Sequence, residues 1–380
     1  MVRHAGVNME MVRKSNRSAI LKFINDHGPT SRKDLAGAIG LTPAAVTQIC
    51  ADLLEEGYLM EKGRDTESKG AGRRQILLDI DYDAAYVYAI NVEPKDTVLA
   101  LCNLKGKQIE GCRIDTDTAC SPEEFLRVIG QYCRDMASRH PRMKKKIVAV
   151  GVGITGLVDQ EEGISKKAYG IWDREVPVGQ ILGEELGLPV QVENNVNAFA
   201  IAELLYGRGK EYENLMVIKW GPGVGCAMVI DHKIYGGRHR KAAELGHFIV
   251  DAKGERCDCG KRGCLETKVS YHALQKIMDF EEDAFGEAYE ASKGSPKQAA
   301  FDEAIELFAR SITNSATIMA PNRIIITGSL FSSSQIRELL IKACQRYDES
   351  FAGDRIIYSD LADREGYIGP VAACVNEILF

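Results

Sequence analysis

Residues 244–266 read "ELGHFIVDAKGERCDCGKRGCLE". One histidine and three cysteines, His247, Cys257, Cys259 and Cys264, fall within this single short stretch. Thiols in a reducing compartment serve as buried hydrophobes or as metal ligands, and a Cys3His set is the composition of a closed tetrahedral zinc site. Gly254, Gly260 and Gly263 allow so short a loop to fold around an ion. Four protein ligands leave no position for an activated water, so the ion is expected to be structural, Zn2+ rather than a hydrolytic metal. Glu244 and Glu266 bracket the loop. Carboxylates anchored in this way are suited to accept hydrogen bonds from ligand hydroxyls.

Outward from that loop the pattern is α/β. "YVYAINVEP", "TVLALCNLKGK" and "GCRIDT" predict three consecutive antiparallel strands, and "SPEEFLRVIGQYCRDMASRH" a helix. "KIVAVGVGITGLVD" is an apolar strand ending in a glycine loop, and "PVQVENNVNAFAIAELLYG" a strand running into a helix. The second half repeats the theme: "NLMVIKWGPGVGCAMVIDHKIYGG" gives two strands about a glycine turn, and "ARSITNSATIMAPNRIIITGSLF" a helix, a buried strand and another glycine turn. Two mixed sheets covered by helices, with glycine turns facing a shared cleft, make a body of two related lobes.

The N-terminal segment reads differently. Ile20, Phe23 and Ile24 recur at helical spacing before Gly28, and a second helix is predicted from a Ser31 cap with Leu35 and Ile39 inward. After a turn at Gly40, Thr42 and Pro43 open a third helix with Val46, Ile49, Leu53 and Leu54 as its buried stripe. This is a helix-turn-helix. Ser31 and Arg32, together with Thr42, Ala44, Thr47 and Gln48 at the start of the third helix, are the candidate DNA contacts. "YLMEKGRDTESKGAGRRQILLDI" predicts two strands around a polar tip, a wing on which Arg73 and Arg74 would meet phosphates or a narrow minor groove. Residues 1–78 carry 12 Lys plus Arg against 9 Asp plus Glu, a balance of +3 in a chain of net charge -6. A basic head on an acidic body marks the head as the nucleic-acid candidate.

With 380 residues, 45% hydrophobic and 27% charged, the chain can bury a large core across two or three domains. It lacks an apolar run of membrane-spanning length and an apolar signal region, so no membrane insertion is expected and the cytoplasm is the expected location.

The order of winged helix, "GITGLVD", "VENNVNAFAIAE", "WGPGVGCAMV", "AAELGH", "CDCGKRGCLE" and "IIITGSL" resembles the ROK family of sugar kinases, open reading frames and repressors, over essentially the whole chain. The resemblance implies an α/β body of two actin-like, sugar-kinase-like (ribonuclease H-like) lobes. The chain then divides into a winged helix-turn-helix domain at 1–80, a first lobe at 81–195 and a second at 196–380, with the last helix returning to the first lobe. It assigns Asn194, Asn195, Glu244, His247 and Glu266 to sugar hydroxyls and brings the backbone at Gly156 close to the ligand. The head matches the repressor branch, which implies a sugar-responsive regulator of carbohydrate uptake or catabolism genes. Its partners would be operator DNA and a sugar or sugar-phosphate effector, as a homodimer or homotetramer, and some relatives answer to a sugar-transport protein.

Phosphoryl transfer is expected to be impaired. Kinases of the family carry Asp after the Asn of an "END" signature, where this chain has Asn195, and an amide is not a base. Their first phosphate loop, of the Asp-x-Gly-Gly-Thr type, corresponds here to "INVEPKDT", in which Glu93 adds negative charge and Pro94 removes a backbone donor. No catalytic residue and no ATP binding are therefore expected. The competing reading is an active ATP-dependent hexose kinase with an accessory DNA-binding head.

Overall fold

The computed structural model describes residues 9–64, 75–237, 242–281, 285–351 and 354–380. Its head holds helix α1 (Met9–His27), strand β1 (Thr30–Ser31), α2 (Arg32–Ile39), α3 (Pro43–Glu55), β2 (Leu59–Arg64) and β3 (Ile76–Ile80). The local chemistry is as the sequence predicts. Ser31 Oγ accepts the Asp34 N–H at 3.2 Å, Thr42 Oγ1 accepts that of Ala45, and Gly40 closes α2 with φ +72°. The strands form a sheet of order β1-β3-β2, and Ile20, Leu21, Ile24, Leu35, Val46, Leu53, Leu59 and Leu78 make the core beneath it.

Three details of the head differ from expectation. Ser31 is only 2% exposed and its hydroxyl is spent on Asp34, so it caps α2 and does not face DNA. Cys50 takes a place in the buried stripe of α3, and Leu54 lies only half-buried. Arg32 is half-buried near Cys50, whose thiol burial pushes up to about 11 against the pull of the Arg32 charge. Thr42, Ala44, Thr47 and Gln48 are exposed as predicted. Thr47 Oγ1 donates to the Pro43 carbonyl and Gln48 Nε2 to Asp52 Oδ1. Arg73 and Arg74 lie outside the described residues. Ser31→Ala is expected to cost the head about 1 kcal/mol, the usual worth of an N-cap, read as an earlier urea midpoint for its unfolding with DNA contacts intact.

The first lobe contains β4 (Tyr86–Val92), β5 (Asp96–Asn103), β6 (Gln108–Asp115), α4 (Pro122–Arg139), α5 (Pro141–Lys144), β7 (Ile147–Ile154), β8 (Leu157–Asp159), β9 (Ile164–Lys167), α6 (Val178–Leu186) and β10 (Val190–Asn194). Its main sheet runs β10-β7-β4-β5-β6, with β4, β5 and β6 antiparallel and β10, β7 and β4 parallel. In that register Ile154 stands opposite both Val92 and Asn194. The three parallel strands therefore end level, and the residues that follow them, Glu93, Thr155 and Asn195, emerge at one edge. In open α/β sheets ligands bind at such carboxyl ends.

Helix α7 (Asn195–Leu205) leads into the second lobe, which holds β11 (Leu215–Trp220), β12 (Val224–Ile230), β13 (Lys233–Ile234), α8 (Glu266–Val269), α9 (Tyr271–Ile277), α10 (Phe285–Ala291), α11 (Pro296–Met319), β14 (Arg323–Thr327), α12 (Ser329–Ser332), α13 (Ser334–Tyr347) and β15 (Ile356–Tyr358). Its sheet runs β13-β12-β11-β14-β15, with β11, β14 and β15 parallel. The last helix, α14 (Glu365–Leu379), crosses back and packs on α7, β4 and β7. At its far end α7 meets the head: Asn25 Nδ2 donates to the Leu205 carbonyl at 2.8 Å, and Tyr82 OH donates to Asn25 Oδ1 at 2.9 Å. No helix among the described residues is long and apolar enough to cross a membrane.

Candidate functional site: the inter-lobe cleft and its metal loop

The level strand ends of the first lobe face the glycine turn between β11 and β12 across a cleft. Gly156, Asn194, Asn195, Glu244, His247 and Glu266 all line it, although they span more than a hundred positions of sequence. Each is held by a neighbour. Asn194 caps α7, its Oδ1 accepting the N–H groups of Val196 and Asn197, while its Nδ2 donates to the Gly156 carbonyl at 2.9 Å. Asn195 Nδ2 points toward Glu93 Oε1 and Thr155 Oγ1, at 3.5 and 3.4 Å. Glu266 Oε2 accepts the Val224 N–H at 2.8 Å, which pins the end of the cysteine loop to the glycine turn. Burial pushes the Glu266 carboxyl up from its ordinary range, with the Val224 bond acting against it.

Gly156 has a different reason from the one expected. With φ +99°, a Cβ there would lie 2.2 Å from the Lys167 carbonyl, so glycine is required by the fold of the β8–β9 hairpin, whatever ligand lies beyond.

The loop after β13 brings the cysteines together. Val250 and Asp251 both donate to the Gly263 carbonyl and Leu265 donates to Phe248 O, so 248–251 and 263–265 run side by side. A Cβ on Gly263 would sit 1.5 Å from the Asp251 carbonyl, which makes that glycine obligatory. His247, Cys257, Cys259 and Cys264 then converge, with their ligand atoms all within 4.8 Å of one another. Cys257 Sγ lies 3.6 Å from His247 Nδ1, and Cys259 Sγ 3.6 Å from Cys264 Sγ. Thiolates at zinc distance around one tetrahedral ion stand about 3.8 Å apart. The group thus has the donors and the spacing for a metal ion.

Protonation agrees with that fit. Burial lowers His247 to about 4, helped by Lys261, so its imidazole is neutral and able to ligate. Burial pushes the Cys257 and Cys264 thiols up, and a divalent cation is what would convert them to thiolates. His247 faces two ways: with Nδ1 toward Cys257, its Nε2 points to Glu244 Oε2 at 3.7 Å, on the cleft side. A metal on Nδ1 would fix the tautomer that offers Nε2–H to the cleft. The Tyr169 ring packs edge-on to His247 with centroids 5.1 Å apart.

The negative charge that Glu93 brings to this loop is compensated by a partner the sequence reading did not include. Glu93 forms an ion pair with Lys219 of β11, and Lys219 Nζ also reaches Glu365 Oε1 at 3.0 Å. Burial disfavours ionisation of Glu93, but Lys219 and the donors Asn91 and Asn195 outweigh it and hold the carboxyl below its usual range. Sequence reasoning missed Lys219 altogether. Its signal was a lone charge inside the apolar strand "LMVIKW". Tyr169, Asp258 and His272 also line the cleft and carried no comparable signal.

Residues 87–376 match the ROK family model, and residues 13–60 match a winged helix-turn-helix DNA-binding model. The chain is 26% identical to the xylose repressor of Caldicellulosiruptor bescii, an alignment covering 98% of each chain. Among solved structures it resembles a ROK family transcriptional regulator described as a homologue of the Escherichia coli Mlc protein, with a TM-score of 0.81, 22% identity, and coverage of 97% of this chain and 96% of that one. It also resembles the ROK hexokinase of Thermus thermophilus, with a TM-score of 0.61 and 21% identity over 77% of this chain and 99% of that one. The hexokinase is thus matched almost entire by about three quarters of this chain. The family match spans the cleft, the glycine turns and the cysteine loop together, and on that breadth this chain belongs to the ROK family.

Proposed function

We propose that the protein is a sugar-responsive, DNA-binding transcriptional repressor of carbohydrate uptake or catabolism genes, with a kinase-derived body that no longer transfers phosphate. The observation that carries this reading is end-to-end similarity to a xylose repressor, against a hexokinase that matches 77% of the chain. The exposed N-terminal face of α3, with Thr42, Ala44, Thr47 and Gln48, would enter the major groove, with Arg32 and the wing residues Arg73 and Arg74 on phosphates. Two heads would read two half-sites, which calls for a homodimer or a homotetramer. A sugar-transport protein as a second partner and a cytoplasmic location fit the same role.

In the cleft, Glu244 and Glu266 would accept hydroxyl hydrogens, His247 would donate from Nε2, and Asn194 and Asn195 would complete the ring of contacts. Zn2+ at His247, Cys257, Cys259 and Cys264 would supply charge and rigidity only, because four protein ligands close its shell. Asn195 has no basic atom to take a hydroxyl proton, which leaves phosphoryl transfer without its general base. Sugar binding acts on DNA through differential affinity for two lobe arrangements. Helix α7 is suited to carry the difference, since Asn195 in the cleft begins it and Leu205, bonded to Asn25 of the head, ends it.

The test is a gel-shift titration of genomic fragments upstream of sugar genes, with and without xylose, glucose and N-acetylglucosamine, beside a coupled ATP assay. One of these sugars is expected to change operator affinity at least fivefold, the low end of allosteric coupling. Turnover with ATP near one per second, within the kinase range, together with operator binding indifferent to sugar, would establish the hexokinase reading instead.

A further inference from the structure

Four polar side chains from both lobes meet at the back of the cleft. The second lobe contributes Lys219 and Thr327, which stand opposite each other on the paired strands β11 and β14. From the first lobe's side come Glu93, directly after β4, and Glu365, the first residue of α14, the helix that packs on β4 and β7. Lys219 pairs with both carboxylates, and Thr327 Oγ1 donates to Glu365 Oε2 at 2.7 Å. The side chains of Lys219, Glu93 and Glu365 are 12%, 19% and 17% exposed, so water screens the contacts little.

A buried ion triad is seldom a better source of stability than apolar packing. What it supplies is sensitivity to geometry. Apolar faces tolerate sliding, but Lys219 satisfies two carboxylates only while the lobes hold one separation. The triad also touches the ligand side of the cleft: Glu93 Oε1, which takes the Lys219 ammonium, accepts Asn91 Nδ2 at 2.8 Å and draws Asn195 Nδ2 to 3.5 Å. With its amide hydrogens turned to Glu93 and Thr155, Asn195 is left with Oδ1, an acceptor, for a ligand hydroxyl.

We propose that Glu93, Lys219 and Glu365 form an inter-lobe clasp that holds the cleft ready for its effector without any nucleotide, and that Lys219 and Glu93 are positioning residues for Asn195. The effector half of this statement rests on the cleft being a sugar site; the clasp half does not. Lys219→Met leaves two carboxylates facing each other across the lobes and is expected to open the cleft. Lys219→Arg, whose fork can serve both carboxylates, restores it. Glu93→Gln leaves the Lys219–Glu365 pair electrically balanced, so the fold survives while the clasp is weakened.

The experiment joins small-angle scattering of the unliganded full chain to calorimetric titration with xylose, glucose and N-acetylglucosamine. Lys219→Met is expected to show a larger radius of gyration and at least a tenfold weaker affinity for whichever sugar binds wild type, Glu93→Gln a smaller change in both, and Lys219→Arg near wild-type values. Should Lys219→Met fail to fold, Glu93→Gln decides. Wild-type scattering and wild-type sugar affinity in the folded variants overturn the clasp. If no sugar binds wild type, the sugar reading falls, and the scattering of Lys219→Met and Glu93→Gln still decides the clasp.

Discussion

Cys257→Ser is expected to empty the Cys3His group, lower the melting temperature by several degrees and abolish the response to sugar. The loss should exceed that of an ordinary buried cysteine, because binding at such a site is folding free energy, on the order of 10 kcal/mol in small zinc modules and a fraction of that in a loop anchored to a large body. The path to function is short. His247 and Glu266 both line the cleft, and a metal held by the four residues would pin the segment between them, in which 248–251 lies along 263–265. Loosening that segment frees His247 Nε2 and breaks the Glu266 contact to the Val224 N–H. Metal analysis of the purified protein, with a thermal melt in a chelator series, reads this directly. Wild-type protein without near-stoichiometric zinc and indifferent to chelators would end the metal account.

Leu53→Ala is expected to cost the head about 3 kcal/mol, in the range found for leucine truncation in well-packed cores. Leu53 is fully buried in one cluster with Leu21, Ile24, Val46 and Leu78. For a unit of about eighty residues that is a large share of the total stability. Operator affinity should collapse at physiological temperature, while calorimetry shows the sugar affinity of the cleft unchanged. Loss of both together would mean that head and body fold as one cooperative unit through the Asn25–Leu205 joint; retention of both would place DNA binding elsewhere than the head.

What could be read from the sequence was whatever is written at short range. Ser31, Thr42, Gly28 and Gly40 mark helix ends because a cap bonds within three residues of itself and a left-handed turn favours glycine. The Cys3His group was legible for the same reason, its four donors lying in one loop. Apolar runs of strand length, closed by glycine turns, located both sheets.

Tertiary structure alone decided the rest. Ser31 has the residue type of a DNA contact and the position of a helix cap, and only the packing of β1 against β3 shows that its hydroxyl is shut inside. Gly156 reads as a glycine spared for a ligand until the hairpin carbonyl of Lys167 is placed against it. Glu93 reads as a repelling charge until Lys219, 126 positions away, is laid across the cleft from it. Which residues lie opposite depends on the order β10-β7-β4 and on α14 crossing between lobes, and neither leaves a periodic trace in the chain. A hydrogen-bonded cap is a property of a few neighbouring residues, whereas an ion pair between lobes exists only after two sheets, each stabilised by its own apolar core, have fixed their distance.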